Sequence, residues 1–384
     1  MGSGMCRRKV VFVLLQIFIL ISLVTGCTNQ QPTIQPKQQK NSNDDLNPPL
    51  KKDDPIKKDV VPLSLAEGEF GSIVGWLNNN TIVYFTNSGQ SSTVFSYELF
   101  TGKSTVIYES EHSIISIYLS DSKERILVHT APTSFEGKMT IIDQKGTILA
   151  TESIVSSEIT FAWNPFNEDL VLITSFTEDW NFQVSLFDSN KQQLQELSVS
   201  QPFANWLSKD ELIYLNWDVD TISLFAPLMK QGIFETKGEL LQQDDQRIFQ
   251  LYSFNKLMAT ISVSEDKEKA IYSFFTNKLE PIETITIPHL TKFSDWLVPF
   301  HDVNFKQMLF YTLRPLISGE ADSYNKGFDL VAYQLGEGKE HVIMKGLENK
   351  PVSCSPNGEY CLFGFQFEDI IDLQAKKMIE LVKE

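Results

Sequence analysis

The residues in this chain that could do chemistry are its histidines, carboxylates and cysteines, and their spacing limits what that chemistry is. The five histidines, at 112, 129, 289, 301 and 341, form no i,i+4 pair and no other metal-ligand spacing. The sequence contains no G-x-S-x-G elbow, no H-E-x-x-H, no P-loop and no G-x-G-x-x-G. No catalytic residue, metal ligand or cofactor is therefore assigned. His129 lies in an apolar run and reads as a packed structural residue. His301, beside Asp302 and near Asp295, is expected to be the most exposed histidine, and a His–carboxylate site there is a candidate. Asp218 and Asp220 supply too few oxygens for calcium and read as solvated turn carboxylates. Glu69, Glu111, Glu158 and Asp295 fall near the ends of apolar runs in different parts of the chain. Brought round a ring they would form an acidic funnel for cations or basic peptides; the plainer reading is polar rim residues of an acidic protein. Cys354 and Cys361 flank Ser355–Tyr360, a turn between two apolar runs, so a cross-strand disulfide and two independent thiols both remain open. No histidine or further cysteine accompanies them to make a zinc signature.

The elements that must position these groups are strands. From residue 64 onward helical periodicity is nearly absent, and short β-branched and aromatic runs alternate with polar turns. The runs repeat. Val74-Gly75-Trp76-Leu77 is followed by Ile82–Phe85, Phe161-Ala162-Trp163-Asn164 by Leu170–Ile173, and Phe203-Ala204-Asn205-Trp206 by Leu212–Leu215. Val352-Ser353-Cys354-Ser355 followed by Cys361–Phe363 repeats the plan. Anchors at 76, 119, 163, 206, 251, 296 and 354 are spaced by 43, 44, 43, 45, 45 and 58 residues. A period of 40–50 residues with four strands per unit is the signature of a β-propeller, and it predicts an all-β fold of seven four-stranded blades over 64–384. The long sixth interval predicts an insertion around Pro299–Lys306 or Pro315–Lys326. Trp76, Trp163, Trp206 and Trp296, at equivalent positions, are expected to pack blade against blade rather than form a sugar-stacking set.

Residues 1–26 read as a secretory signal. Arg7, Arg8 and Lys9 precede a 15-residue apolar run, Val10–Val24, too short to span a bilayer comfortably. The run ends in Leu23-Val24-Thr25-Gly26-Cys27, which resembles the lipobox of bacterial lipoproteins. The resemblance implies cleavage between Gly26 and Cys27 and lipidation (a diacylglyceryl group, with palmitate-type acyl chains) of the Cys27 thiol. Residues 28–63, rich in Gln, Asn, Pro, Lys and Asp, carry no apolar pattern and are expected to be a disordered tether with a mean span of about 30–35 Å. The plan is thus 1–26 signal, 27–63 lipidated cysteine and tether, and 64–384 propeller.

Two family resemblances add to this reading. Trp163-Asn164-Pro165-Phe166-Asn167-Glu168 and Cys354-Ser355-Pro356-Asn357-Gly358-Glu359-Tyr360 resemble the W-S-P-D-G-K turn of TolB-type propellers. Lipobox, tether and Trp-anchored repeats together resemble the YqgU-like lipoproteins of Bacillus and its relatives. That resemblance implies a six-bladed propeller, which stands as the alternative to seven, and it implies no activity.

Composition bounds the partners. The 384 residues carry 33 Lys and Arg against 49 Asp and Glu, a net charge of −16 that reaches about −19 without Arg7, Arg8 and Lys9. Such a surface repels phosphate backbones, so nucleic acid is excluded as a partner. Of the basic residues only five are Arg, a bias that fits a Gram-positive source. The expected protein is a monomeric lipoprotein, anchored on the extracytoplasmic face of the cell membrane in the cell envelope. Its propeller is expected to bind or scaffold a protein, peptide or cell-wall ligand. The alternative is a metal-dependent propeller hydrolase or lyase acting on sugars or lactones, and enzyme status stays open with a non-enzyme favoured.

Overall fold

The computed structural model describes residues 59–383 apart from 66, 219, 221–222, 242–246 and 294. The signal, Gly26, Cys27 and nearly all of the tether lie outside the described residues. Strands follow one another almost without interruption. The first sheet comprises β1 (Glu69–Trp76), β2 (Thr81–Ser88), β3 (Ser91–Glu98) and β4 (Lys103–Ser110). The second comprises β5 (Ile114–Leu119), β6 (Arg125–Thr133), β7 (Glu136–Asp143) and β8 (Ile148–Val155). The third comprises β9 (Glu158–Trp163), β10 (Leu170–Phe176), β11 (Phe182–Asp188) and β12 (Gln193–Leu197). The fourth comprises β13 (Asn205–Trp206), β14 (Glu211–Leu215), β15 (Leu228–Gly232) and β16 (Glu239–Leu240). The fifth comprises β17 (Gln250–Phe254), β18 (Leu257–Val263), β19 (Lys269–Thr276) and β20 (Pro281–Pro288). A hairpin of β21 (Leu290–Lys292) and β22 (Asp295–Leu297) comes next. Then follow β23 (His301–Asn304), β24 (Leu309–Pro315), β25 (Gly319–Glu320), β26 (Phe328–Gln334) and β27 (Lys339–Leu347). The last sheet comprises β28 (Val352–Cys354), β29 (Tyr360–Phe363), β30 (Asp369–Asp372) and β31 (Lys377–Glu380).

Among the described residues these strands make seven four-stranded antiparallel meanders, the sixth being β23-β24-β26-β27. A small three-stranded sheet, β22-β21-β25, completes the set, with β25 parallel to β21.

Burial follows position within each meander. The second strands are near-continuous apolar runs buried on both faces, such as Ile126–Val128 in β6 and Val171–Ile173 in β10. Both faces of each sheet are covered by neighbouring sheets, which is why these strands do not alternate. Fourth strands are mostly exposed, as in Gln193–Glu196 of β12. Seven apolar cores lie between consecutive four-stranded sheets. One of them joins the last sheet to the first through Tyr360, Leu362 and Ile370 against Ile73, Tyr84 and Tyr97. All seven cores fall within the described residues, so the ring carries its own stabilising interior.

The sequence places the strands of the third unit at Ile159–Trp163, Asp169–Ser175, Phe182–Phe187 and Gln193–Val199, within two residues of β9–β12, and the first strand of the first unit at Ser72–Trp76, three residues short of the start of β1. Two expectations are corrected. The sixth anchor is not Trp296, which sits in the β21–β22 hairpin; the first strand of the sixth sheet is β23, inside the segment Pro299–Lys306 considered for an insertion. The extra residues are β21–β22 and, at the other location expected, Pro315–Lys326, the stretch after β24 that holds β25. Leu63, assigned to the tether, is buried: its amide donates to the Leu381 carbonyl (2.6 Å) and it bridges Val382 in parallel.

The tryptophans divide accordingly. Trp76 Nε1 donates to the Ser353 carbonyl of the last sheet and Trp206 Nε1 to the Ala162 carbonyl of the third, both 2.9 Å, so each ties its sheet to the preceding one. Trp163 packs into the core between the second and third sheets while its Nε1 donates to Glu168 within its own turn. The two resembling turns are held by their polar residues. Asn164 Oδ1 accepts the amides of Phe166 and Asn167, and Ser355 Oγ accepts those of Glu359 and Tyr360.

Candidate functional site

Antiparallel meanders give a ring two ends. The first strand of every sheet runs along the axis in the same direction. Turns after first and third strands therefore lie at one end, called here the finishing end. Turns after second strands and the connections between sheets lie at the other, the starting end. Each end has a cavity.

The finishing-end cavity, about 800 Å³, is walled by residues where β1, β5, β23 and β28 end, including Asp121, Lys123, Asn255, Asp302 and Lys306. Asn255, left-handed at φ 54°, donates from Nδ2 to the Asp121 carboxylate and so links the fifth sheet to the second. Its Oδ1 is buried without a partner. Asp302 accepts the Cys354 amide at 2.6 Å. Burial pushes the Asp302 carboxyl above the usual range, against the amides of Cys354 and Val303, which favour the charged form. Burial raises Asp121 as well, opposed by Lys123 and assisted by Glu168. This mouth can hold a polar molecule offering both donors and acceptors. Sequence reading missed it because Asp121 and Asn255 lie 134 positions apart.

The starting-end cavity, about 720 Å³, is aromatic. It is lined by Phe203, Trp217, Phe249, Trp296 and Phe300, with Lys292 and Asp295 at its edge. Trp296 is fixed by Phe225, Phe249 and His289, whose ring centres lie 5.0, 4.8 and 5.1 Å away. Arg247 stacks over Phe225 at 5.5 Å.

The residues singled out from sequence fall as follows. Glu69, Glu111 and Glu158 are exposed at the starts of β1, β5 and β9, hence at the starting end. Asp295 is also exposed at that end but is carried by the β21–β22 hairpin rather than by a first strand, and its Oδ1 accepts the Trp296 amide at 2.8 Å. Cys354 and Cys361 are directly paired across β28 and β29 and their sulfurs are bonded.

His301 is not exposed. It packs edge-on to Tyr252 at 4.3 Å, contacts Phe254 and Phe310, and burial lowers its pKa. It faces the fifth sheet while Asp302 bonds the seventh, so the two do not form an acid–base pair. His129 is buried between Ser116 and Phe161, as its apolar run predicted. The Asp218 carboxylate accepts the Asp220 amide, a local turn bond.

Ring-wise succession of four-stranded antiparallel meanders, with the last sheet packed on the first, defines a β-propeller. A family model described as "YqgU-like 6-bladed beta propeller domain" matches residues 98–364. The chain belongs to that family. It is 27% identical over 381 residues to "Uncharacterized lipoprotein YqgU" of Bacillus subtilis, covering 98% of each chain. Among solved structures it resembles the uncharacterized protein lmo1340 of Listeria monocytogenes, with 25% identity, a TM-score of 0.78, and coverage of 85% of this chain and 98% of that one. It shares its fold with the β-propeller domain of the Trilobed protease of Pyrococcus furiosus, at 11% identity and a TM-score of 0.53, with 82% and 98% covered.

Proposed function

We propose that the protein is a lipoprotein held by Cys27 on the extracytoplasmic face of the cell membrane, where its propeller binds or scaffolds a protein, peptide or cell-wall ligand. The lipobox-like Leu23–Cys27 and the near full-length likeness to a relative named as a lipoprotein support the anchor. One observation carries the binding role: the starting-end cavity is an open aromatic cleft whose Trp296 is held in place by packing against Phe225, Phe249 and His289. A rigid aromatic surface loses little conformational freedom when it is covered, which favours recognition. The ring is read as seven blades because seven four-stranded sheets alternate with seven apolar cores. The matched segment 98–364 begins at the end of β3 and stops just after β29, so it spans the first and last sheets only in part.

Two experiments test this reading. Cys27→Ala is expected to move the protein from the membrane to the soluble fraction or to leave an unprocessed precursor; unchanged processing and attachment would refute the anchor. Chemical crosslinking on intact cells is expected to give a discrete, reproducible adduct, and its absence would refute the binding role.

A further inference from the structure

The two ends of the ring differ in surface chemistry. Phe135, Trp180, Phe203, Phe293, Phe300 and Phe365 are all exposed, Phe293 completely, and all sit in starting-end connections. Among the described residues the exposed phenylalanines and tryptophans include only one at the finishing end, Phe234 in the β15–β16 turn. The starting-end aromatics also neighbour one another: Phe203 and Trp180 both contact Phe176, and Phe300 meets Phe365 edge-on at 6.2 Å across two sheets. Isolated exposed apolar residues are ordinary, but a grouped aromatic surface marks an interaction site.

Charge says what covers it. Between the strand bounds given above, the starting-end connections hold 13 acidic and 5 basic described residues, while the finishing-end turns hold 9 of each. Glu69 and Glu158, at the first positions of β1 and β9, add to the acidic end. Like charge disfavours a second copy of this face and an anionic lipid surface alike. The first described residues enter at the opposite rim, where the Val61 amide donates to the Leu99 carbonyl beside the β3–β4 turn (2.8 Å).

We propose that the starting end of the ring is a docking surface for a basic polypeptide segment that carries apolar side chains. Carboxylates steer and orient such a segment, and the aromatic cleft receives its apolar groups. This rests on the binding role proposed above and assigns its face and its partner chemistry.

The test uses the chain from residue 27 carrying Cys27→Ala, since the ring's cores all lie beyond residue 59. The probe is a short fluorescent peptide of alternating lysine and leucine, with the glutamate–leucine counterpart and phosphatidylglycerol vesicles as controls. The lysine peptide is expected to bind, to weaken about tenfold as ionic strength rises from ~0.05 to ~0.3 M, and to lose at least tenfold in affinity in Phe203→Ser/Phe293→Ser. Phe234→Ser is expected to leave it unchanged. Equal affinity in the two variants, binding of the glutamate peptide, or aromatic-dependent binding of vesicles in place of the peptide would each overturn the proposal. Should the peptide fail while intact-cell adducts form through the finishing end, the binding role stands and the face assignment falls. If no adduct forms at either end, both fall.

Discussion

Replacing Leu63 by alanine tests how the ring is closed. Leu63 is 3% exposed and belongs to the core shared by the last and first sheets. Its segment is held by three further bonds: Val61 amide to Leu99 carbonyl, and Tyr97 Oη donating to the carbonyls of Val61 (2.7 Å) and Pro62 (3.0 Å). Burial raises the Tyr97 phenol to about 12, so it stays a donor at any working pH. Truncating leucine removes about three carbon groups, worth about 2.4 kcal/mol in transfer, and a residual cavity brings the expected cost to about 3–4 kcal/mol. Tyr97→Phe removes the donor from two carbonyls and is expected to cost about 1–2 kcal/mol. Both substitutions release the same segment, so their combined cost is expected to fall short of the sum. Denaturant unfolding, followed in parallel by tryptophan fluorescence and far-UV circular dichroism, measures these costs if the two transitions coincide. A Leu63→Ala cost below about 0.5 kcal/mol would place the segment outside the core and refute the reasoning.

Other expectations follow from particular contacts. The Cys354–Cys361 bond closes a short loop, so replacing both cysteines by serine is expected to cost about 2.5 kcal/mol on the loop-entropy relation; two free thiols titrated in the unreduced, unfolded protein would contradict the bond. Arg125 joins the second sheet to Asp169 of the third at 2.7 Å and donates to the Glu168 carbonyl, with both side chains about a quarter exposed. A double-mutant cycle on Arg125 and Asp169 is expected to give about 1 kcal/mol of coupling, and zero coupling would show the pair to be screened. Burial lowers His129, His289 and His301, so these rings are neutral when folded. Their contribution is present above the unfolded histidine range and is lost as pH falls through their lowered values. His301→Phe is therefore expected to reduce the drop in melting temperature between neutral and acid pH, and an unchanged drop would refute this. For Asp302 the sign is opposite. Its raised pKa makes ionisation a cost that grows as pH rises through that value, so Asp302→Asn is expected to compare better with the native chain at neutral pH than in acid.

Much of the fold is legible in the sequence because a propeller repeats one local problem. Each unit needs a first strand ending in a bulky residue, a polar turn and a doubly buried second strand, and that order recurs every 43–45 residues through 76, 119, 163, 206 and 251. The period fails at Trp296 because a short hairpin inserted before β23 carries the same aromatic signal without being a blade strand. The same shift explains the buried His301: the blade strand starts at His301 rather than at Trp296, so its imidazole faces the packed fifth sheet and not solvent. The finishing-end pair of Asp121 and Asn255 has no local signal, since ring closure rather than sequence proximity unites them. The polarity of the two ends was within reach of the sequence once strand direction was known, because alternate turns belong to alternate ends. Glu69, Glu111, Glu158 and Asp295 show this: the repeat groups them near strand ends round a ring, and the meander puts them at one end.

The measurement that bears most directly on the account places a photo-crosslinking residue at 203, 293 or 234 of the full-length chain on intact cells. Adducts at 203 and 293 mapping to a basic segment of a partner, with none at 234, are the result predicted. Adducts confined to 234, or to lipid, or absent at all three positions would contradict it.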